Sequence, residues 1–159
     1  MLQSEVKVLL VEDDDIDVRV VERDFAKRNL TNPIIVAQDG IEALEILRGT
    51  PDRPALETPY LVLLDLNMPR MTGLEFLREL RADPSLHRTI VFVLTTSNDQ
   101  ADRMAVYEHH VAGYLLKHEA GKLFQDHVPL IEHFLRSVKF PEMQSTSTVP
   151  WQFQPIEQF

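Results

Sequence analysis

The sequence contains no cysteine and is poor in basic residues. The absence of cysteine excludes disulfides, thiolate nucleophiles and thiolate metal sites, and is typical of a protein in a reducing cytoplasm. The 16 Lys and Arg residues against 25 Asp and Glu give a formal charge of -9, which argues against a nucleic-acid partner. No apolar run approaches the roughly 20 residues that cross a bilayer, and the first residues lack the features of a signal peptide. We therefore expect a cytoplasmic protein that binds neither membrane nor nucleic acid.

Glycine is also scarce, and its five positions form neither a dinucleotide-binding fingerprint nor a P-loop. With 159 residues, 44% of them hydrophobic, the chain is long enough for one domain with a core. We expect that domain to cover residues 1–140. Residues 141–159 are rich in Ser, Thr, Gln and Pro and predict a tail, either flexible or docked to a partner through Trp151, Phe153 and Phe159.

Short apolar runs alternate along the chain with segments of helical periodicity. Five runs predict strands, at residues 6–11, 33–37, 60–64, 89–94 and 112–116. Apolar side chains three and four residues apart predict helices between them, as at Val18, Val21 and Phe25. Five strand and helix pairs predict a flavodoxin-like, doubly wound (βα)5 fold, a three-layer sandwich around a five-stranded parallel sheet.

The last helical segment has apolar residues on two faces. One stripe, which we expect to cover the sheet, consists of Leu123, His127, Leu130 and Phe134. The second stripe is a candidate homodimer contact and consists of Phe124, Val128, Ile131 and Leu135. Two alternatives are that the tail folds over the second stripe or that its residues are ordinary, partly exposed hydrophobics. Pro129 predicts either a kink or a shorter helix that begins near it.

Residues that carry chemistry follow four of the predicted strands. They are Glu12, Asp13 and Asp14 after the first strand, Asp65 after the third, Thr95, Thr96 and Ser97 after the fourth, and Lys117 after the fifth. Because parallel strands end at one edge of a sheet, we expect these side chains to meet there. Singly, the acids could be helix caps, the hydroxyls strand ends and the lysine a surface charge. Together they favour a phosphoryl site with carboxylates for Mg²⁺, an ammonium and a hydroxyl donor.

In these positions the sequence resembles the receiver domains of two-component response regulators, over residues 6–139. The resemblance implies that Asp65, in LVLLDLNMP, accepts a phosphoryl group from a histidine kinase. It also implies that Mg²⁺, or Mn²⁺, is held by Asp13, by Asp65, by the backbone carbonyl of Asn67 and, mainly through water, by Glu12.

The same resemblance assigns roles to the residues around the acceptor. Thr95 would be the switch hydroxyl, Lys117 the partner of Asp65 or its phosphoryl group, and Tyr114 the aromatic side chain that changes rotamer. The side chains of Asn67 and Ser97 would tune dephosphorylation. The output would be the surface of helix four, strand five and helix five. The loop before strand three, the LTTS sequence and the HFLRSVKFP ending resemble the regulators paired with bacterial and cyanobacterial phytochromes.

One residue departs from the family pattern, and one argues against a rival function. His118 follows Lys117 where the family has a cis proline, and a cis bond before histidine would cost about 3 kcal/mol, so a trans turn is expected. Haloacid-dehalogenase-type phosphatases also use a strand-end Asp with Mg²⁺, but they need a second acid where this chain has Asn67. A receiver-like interaction module that is never phosphorylated remains the other alternative. We expect a signalling switch that catalyses only its own phosphotransfer and dephosphorylation.

Overall fold

The computed structural model describes residues 5–118 and 123–141. The described strands are β1 (Lys7–Val11), β2 (Ile34–Ala37), β3 (Tyr60–Leu64), β4 (Val91–Thr95) and β5 (Gly113–Leu116). The helices are α1 (Asp15–Lys27), α2 (Gly40–Arg48), α3 (Gly73–Ala82), α4 (Gln100–Tyr107) and α5 (Val128–Ser137), with a 3₁₀ turn at Phe124–Asp126. No helix in these ranges is both long and apolar enough to cross a membrane.

The strands form one parallel sheet in the order β2-β1-β3-β4-β5. The strand order reverses between β1 and β3, so the carboxyl ends of these two strands adjoin the crevice where such folds bind ligands. The predicted doubly wound, flavodoxin-like fold is therefore confirmed. The predicted strand 60–64 matches β3, three others start one residue earlier than the observed strands, and the prediction for β4 starts two residues early and ends one residue early.

Alternate residues of each central strand face opposite sides of the sheet and build two cores. Leu9 of β1 and Val62 of β3 pack with α2, α3 and α4, whereas their neighbours Val8 and Leu61 pack with α1 and α5. Every residue of β3 and β4 is buried, because helices cover both faces of these strands. The strands that lead to the candidate site are thus held by packing on both faces.

The structure corrects the prediction for the last helix. The four residues predicted as the homodimer contact lie in the core against the sheet and α1, namely Phe124, Val128, Ile131 and Leu135. In the other stripe, Leu123 and Leu130 are about half exposed, at 51% and 50%. The two faces were therefore exchanged in the sequence-based prediction.

The physical reason is that the buried stripe is apolar at all four positions, whereas the exposed stripe includes His127. Residues 124–126 form a 3₁₀ turn, and α5 starts at Val128 with proline at its first turn, where a backbone donor is not needed. The shorter helix that the sequence allowed is the one observed. Phe134 remains partly buried, and its ring packs edge-on against Phe92 at a centroid distance of 5.0 Å.

Candidate functional site

Four strand ends place the candidate side chains at one edge of the sheet. Glu12, Asp65 and Lys117 directly follow β1, β3 and β5, and Thr95 is the last residue of β4. Backbone hydrogen bonds extend the sheet past these ends: the Asp65 N–H donates to Val11 at 3.0 Å and the Lys117 N–H to Thr95 at 2.8 Å. The side chains are therefore positioned by the sheet itself.

Three carboxylates converge at this edge. One oxygen from each of Glu12, Asp13 and Asp65 can be chosen so that all three lie within 4.8 Å of one another. Glu12 and Asp65 are buried, at 3% and 5% exposure, while Asp13 is open to solvent. Asp14 has a different task, because its side chain caps α1 by accepting from the Ile16 N–H at 2.8 Å.

Lys117 lies between carboxylates in a buried position. Its ammonium hydrogen-bonds to Glu12 and, at 2.8 Å, to Asp17, while Asp65 is 3.6 Å away. Burial disfavours the charged ammonium, but the hydrogen bonds to Asp17 and Glu12 outweigh it and raise the Lys117 pKa above its usual value. Lys117 is therefore a fixed positive charge at the site.

The site nevertheless carries a surplus of negative charge. Burial raises the pKa of Glu12 to about 7, and repulsion from Asp65 adds to this effect against the attraction of Lys117. Burial also raises the pKa of Asp65, although Lys117 and the backbone N–H groups of Asn67 and Leu66 oppose the rise. One ammonium does not neutralise these acids, and converging carboxylate oxygens are the donor set that Mg²⁺ and Mn²⁺ take. The residues present therefore fit a hard divalent cation.

A hydroxyl and an aromatic ring connect the site to α4. Thr95 is completely buried, and its oxygen accepts from the Ser97 N–H at 3.2 Å. The Tyr114 hydroxyl donates to the Ser97 carbonyl at 2.7 Å, and Arg103 of α4 lies over the Tyr114 ring, 5.5 Å from its centroid. The Ser97 hydroxyl donates to Asp102 of α4 at 2.6 Å. The loop after Thr95 thus joins the strand end, Tyr114 and α4.

The loop that follows Asp65 folds back closely on the acceptor position. The Gly73 N–H donates to the Leu66 carbonyl at 2.9 Å, and a Cβ at Gly73 would lie 2.4 Å from the Asp65 carbonyl oxygen. Only glycine fits at this distance. Arg70 in the same loop donates to the Asp39 carboxylate at 2.6 Å, which anchors the loop to the start of α2.

Two predicted residues sit at the rim of the site. The Asn67 side chain is exposed, and its backbone N–H favours the charged Asp65 carboxylate, which opposes the rise of the Asp65 pKa. His118 is exposed as well. Within the described ranges the cis peptide bond is Thr58–Pro59, so the Lys117–His118 bond is trans, as the absence of proline predicts.

Sequence reasoning missed Asp17, which contacts Lys117 directly. It lies in the first turn of α1, which starts four residues after the end of β1 and so close to the strand ends. An acid in the first turn after a site strand was the signal that could have found it. The roles predicted for the other side chains stay predictions. The structure places Glu12, Asp13 and Lys117 near Asp65, and it joins Ser97 to Thr95 and Tyr114 to Ser97, whereas the Asn67 side chain is exposed.

Comparison with known families agrees with this arrangement. The family model of the response regulator receiver domain matches residues 8–128, which is most of the chain and includes every strand end described above. The chain belongs to the response regulator receiver family. As a receiver, it is a signalling protein of two-component systems.

Relatives of this receiver include a response regulator of similar length. Response regulator Rcp1 of Synechocystis sp. is 38% identical over 135 residues, which are 84% of this chain and 92% of Rcp1. Its Mn²⁺-bound structure has a TM-score of 0.74 at 36% identity, covering 86% of this chain and 99% of that one.

Two further solved structures extend the comparison. The phosphorylated cyanobacterial phytochrome response regulator RcpA has a TM-score of 0.77 at 36% identity, with 87% and 99% of the two chains covered. The bacteriophytochrome response regulator AtBRR has a TM-score of 0.67 at 32% identity, with 82% and 92% covered. The chain is therefore similar over nearly its whole described length to phytochrome-associated response regulators.

Proposed function

We propose that this receiver is a phosphorylation switch that accepts a phosphoryl group from a histidine kinase on Asp65. The observation that carries the proposal is the surrounding of Asp65: a buried carboxylate with Glu12 and Asp13 oxygens within 4.8 Å and Lys117 at 3.6 Å. An aspartate that only ends a strand does not require two further carboxylates and an ammonium beside it. A phosphoryl acceptor needs it, because charge on the transferring group must be compensated from fixed positions.

In the proposed reaction an Asp65 oxygen forms a bond to phosphorus while the bond from phosphorus to the kinase histidine breaks. The N–H groups of Asn67 and Leu66 favour the charged form of the Asp65 carboxylate, which is the form that attacks. Asp13, Glu12, Asp65 and the Asn67 backbone carbonyl would hold Mg²⁺ or Mn²⁺, which when bound neutralises negative charge at the acceptor. Lys117 and Thr95 would then bind the terminal oxygens of the phosphoryl group, one through its charge and the other through its hydroxyl.

The output follows from the connection between Thr95 and α4. If the Thr95 hydroxyl turns toward a phosphoryl oxygen, it gives up its bond with the Ser97 N–H, and the Ser97 carbonyl that holds Tyr114 moves with the loop. Arg103, which lies over the Tyr114 ring, transmits the change to the surface of α4. The switched surface is therefore that of α4, β5 and α5.

The proposed input is a histidine kinase of the phytochrome type. The support for it is the similarity over most of each chain to regulators whose names state a phytochrome or bacteriophytochrome association. The assignment is tested by comparing the rate of phosphotransfer to this receiver from a purified bacteriophytochrome kinase with the rate from an unrelated histidine kinase. Equal rates with both kinases would contradict the assignment.

Phosphorylation is tested by intact mass after incubation with acetyl phosphate and Mg²⁺. We expect a mass increase of one phosphoryl group on the wild type, none on Asp65→Asn, and none when EDTA removes the metal. Asp14→Asn is the matched control, because Asp14 caps α1 and should still allow labelling. Equal labelling of Asp65→Asn, or no labelling of the wild type, would instead favour an interaction module that is never phosphorylated.

We also propose that the switched surface controls homodimerisation, although not through the buried stripe of α5. The support is the exposure of apolar side chains on the two helices that flank β5 in the chain, with Met104 and Tyr107 on α4 and Leu130 on α5. Sedimentation velocity with and without acetyl phosphate tests this. We expect a phosphorylation-dependent dimer that Leu130→Glu weakens, and an unchanged monomer mass under all conditions would defeat the proposal.

A further inference from the structure

Lys117 lies beside three carboxylates of the described chain and hydrogen-bonds to two of them. It is hydrogen-bonded to Glu12 and to Asp17, at 2.8 Å for Asp17, but the 3.6 Å separation from Asp65 exceeds hydrogen-bond range. Within the described chain, Lys117 therefore directs its hydrogen bonds to two side chains that are not the proposed acceptor. An ammonium has three N–H donors, so one remains for a phosphoryl group on Asp65, but the bonds to Glu12 and Asp17 hold the Lys117 nitrogen outside hydrogen-bond distance of Asp65.

Of the two partners, Glu12 is the more firmly held. Its side chain is 3% exposed, and its other oxygen accepts from the Asp14 N–H at 3.1 Å, so releasing Lys117 would leave a buried carboxylate poorly compensated. The Asp17 side chain is 29% exposed and lies in the first turn of α1. Water and the positive end of the helix can compensate Asp17 when Lys117 leaves.

We propose that Asp17 is a positioning residue that holds Lys117 away from Asp65 in the unphosphorylated protein. This inference rests on the proposed function, because it concerns the same acceptor. Asp17 and the phosphoryl group attract the same ammonium from different sides. Any movement of Lys117 toward the phosphoryl group weakens its bond to Asp17, so Asp17 lowers the free energy gained when the phosphoryl group binds.

The competition predicts the direction of a mutational effect. Asp17→Asn keeps the shape of the side chain but removes the charge that attracts Lys117, so Lys117 should turn toward Asp65 more readily. Asp15→Asn is the matched control, since Asp15 is also an acid of the first turn of α1 but makes no hydrogen bond to Lys117. Any effect of net charge or helix dipole is common to both variants.

The test measures the affinity for beryllofluoride, a phosphoryl mimic, at saturating Mg²⁺ by isothermal titration calorimetry. We expect Asp17→Asn to bind about three- to tenfold more tightly than the wild type, as loss of one charged hydrogen bond allows, and Asp15→Asn to stay within about twofold. The ¹H–¹⁵N signal of the Lys117 ammonium, recorded without metal or mimic, should shift in Asp17→Asn and not in Asp15→Asn.

The outcomes separate this inference from the function on which it rests. Wild type that binds no beryllofluoride would overturn the proposed function and the role of Asp17 with it. If the wild type, Asp17→Asn and Asp15→Asn all bind beryllofluoride with the same affinity, the role of Asp17 is overturned and the proposed function is not. Weaker Mg²⁺ binding by Asp17→Asn without tighter beryllofluoride binding would also overturn it, since Asp17 would then serve the metal and not Lys117.

Discussion

Alanine at Ile131 should destabilise the receiver strongly, whereas alanine at the neighbouring Leu130 should not. Ile131 is fully buried on the face of α5 that covers the sheet, and Leu130 is 50% exposed. The change at Ile131 removes three carbon atoms worth about 0.8 kcal/mol each and leaves a cavity that adds about 1 kcal/mol or more. We expect the free energy of unfolding to fall by about 3–4 kcal/mol for Ile131→Ala. For Leu130→Ala we expect a fall of less than about 1 kcal/mol, because alanine also favours the helix.

Urea denaturation followed by far-ultraviolet circular dichroism measures both variants against the wild type. With a denaturant slope of about 1–3 kcal/mol per molar, the midpoint of Ile131→Ala should fall by at least about 1 M and that of Leu130→Ala by much less. If Leu130→Ala has the lower midpoint of the two, the opposite face of α5 covers the sheet and the packing described above is wrong.

Three further predictions concern the loops around the site and the fold that supports them. Arg81→Met should lower the free energy of unfolding by about 2–4 kcal/mol in urea melts, because the Arg81 guanidinium donates to four backbone carbonyls in the segments before β4 and β5. Arg78 is exposed, so Arg78→Met is the control and should leave the free energy of unfolding nearly unchanged. Gly73→Ala should lower the free energy of unfolding by about 1–3 kcal/mol and reduce labelling by acetyl phosphate, because the new Cβ would overlap the backbone at Asp65. A variant with the stability and labelling of the wild type would contradict the close approach of Gly73 to Asp65. The bond from Arg70 holds the pKa of Asp39 below its usual value, so Asp39 stabilises the fold above about pH 4 and loses this effect as the pH falls through the lowered pKa. The stability gap between wild type and Asp39→Asn, measured in urea from pH 7 to pH 3, should therefore narrow at acid pH, and a constant gap would refute the ion pair.

The sheet and the strand-end residues could be predicted because their signals are local. A buried parallel strand is a short run of Val, Leu and Ile, and the residue after it must lie at the sheet edge whatever the loops do. This is why Asp65 and Lys117 could be placed together from the sequence. The boundaries of β4 could not, since Thr89 and Thr95 both flank its apolar run and backbone pairing alone decides which one belongs to the strand.

The face of α5 could not be predicted because its sequence is apolar on two sides. Helical spacing assigns residues to stripes but does not say which stripe meets the sheet, and both stripes keep their spacing across the 3₁₀ turn at Phe124–Asp126. Asp17 was missed for a related reason. Whether a helical side chain reaches back to a strand end depends on how the helix docks, and docking is set by packing around Phe25 and Val21 in the core.

The tail is a prediction that lies outside the described residues, apart from Pro141. The same holds for the roles proposed there for Trp151, Phe153 and Phe159. The division into a receiver at residues 1–140 and a tail stays a proposal, which limited proteolysis would test. Cleavage that begins within residues 60–118 and not beyond residue 141 would contradict it.

The central claim is that Asp65 itself carries the phosphoryl group, and chemical mapping of the labelled residue tests it most directly. Borohydride reduces an acyl phosphate to an alcohol and so converts the labelled aspartate into homoserine, which peptide mass spectrometry locates. After treatment with acetyl phosphate and Mg²⁺ we expect homoserine at position 65 and aspartate unchanged at positions 13 and 17. Homoserine at position 13 or 17, or at no position, would contradict the assignment of Asp65 as the acceptor.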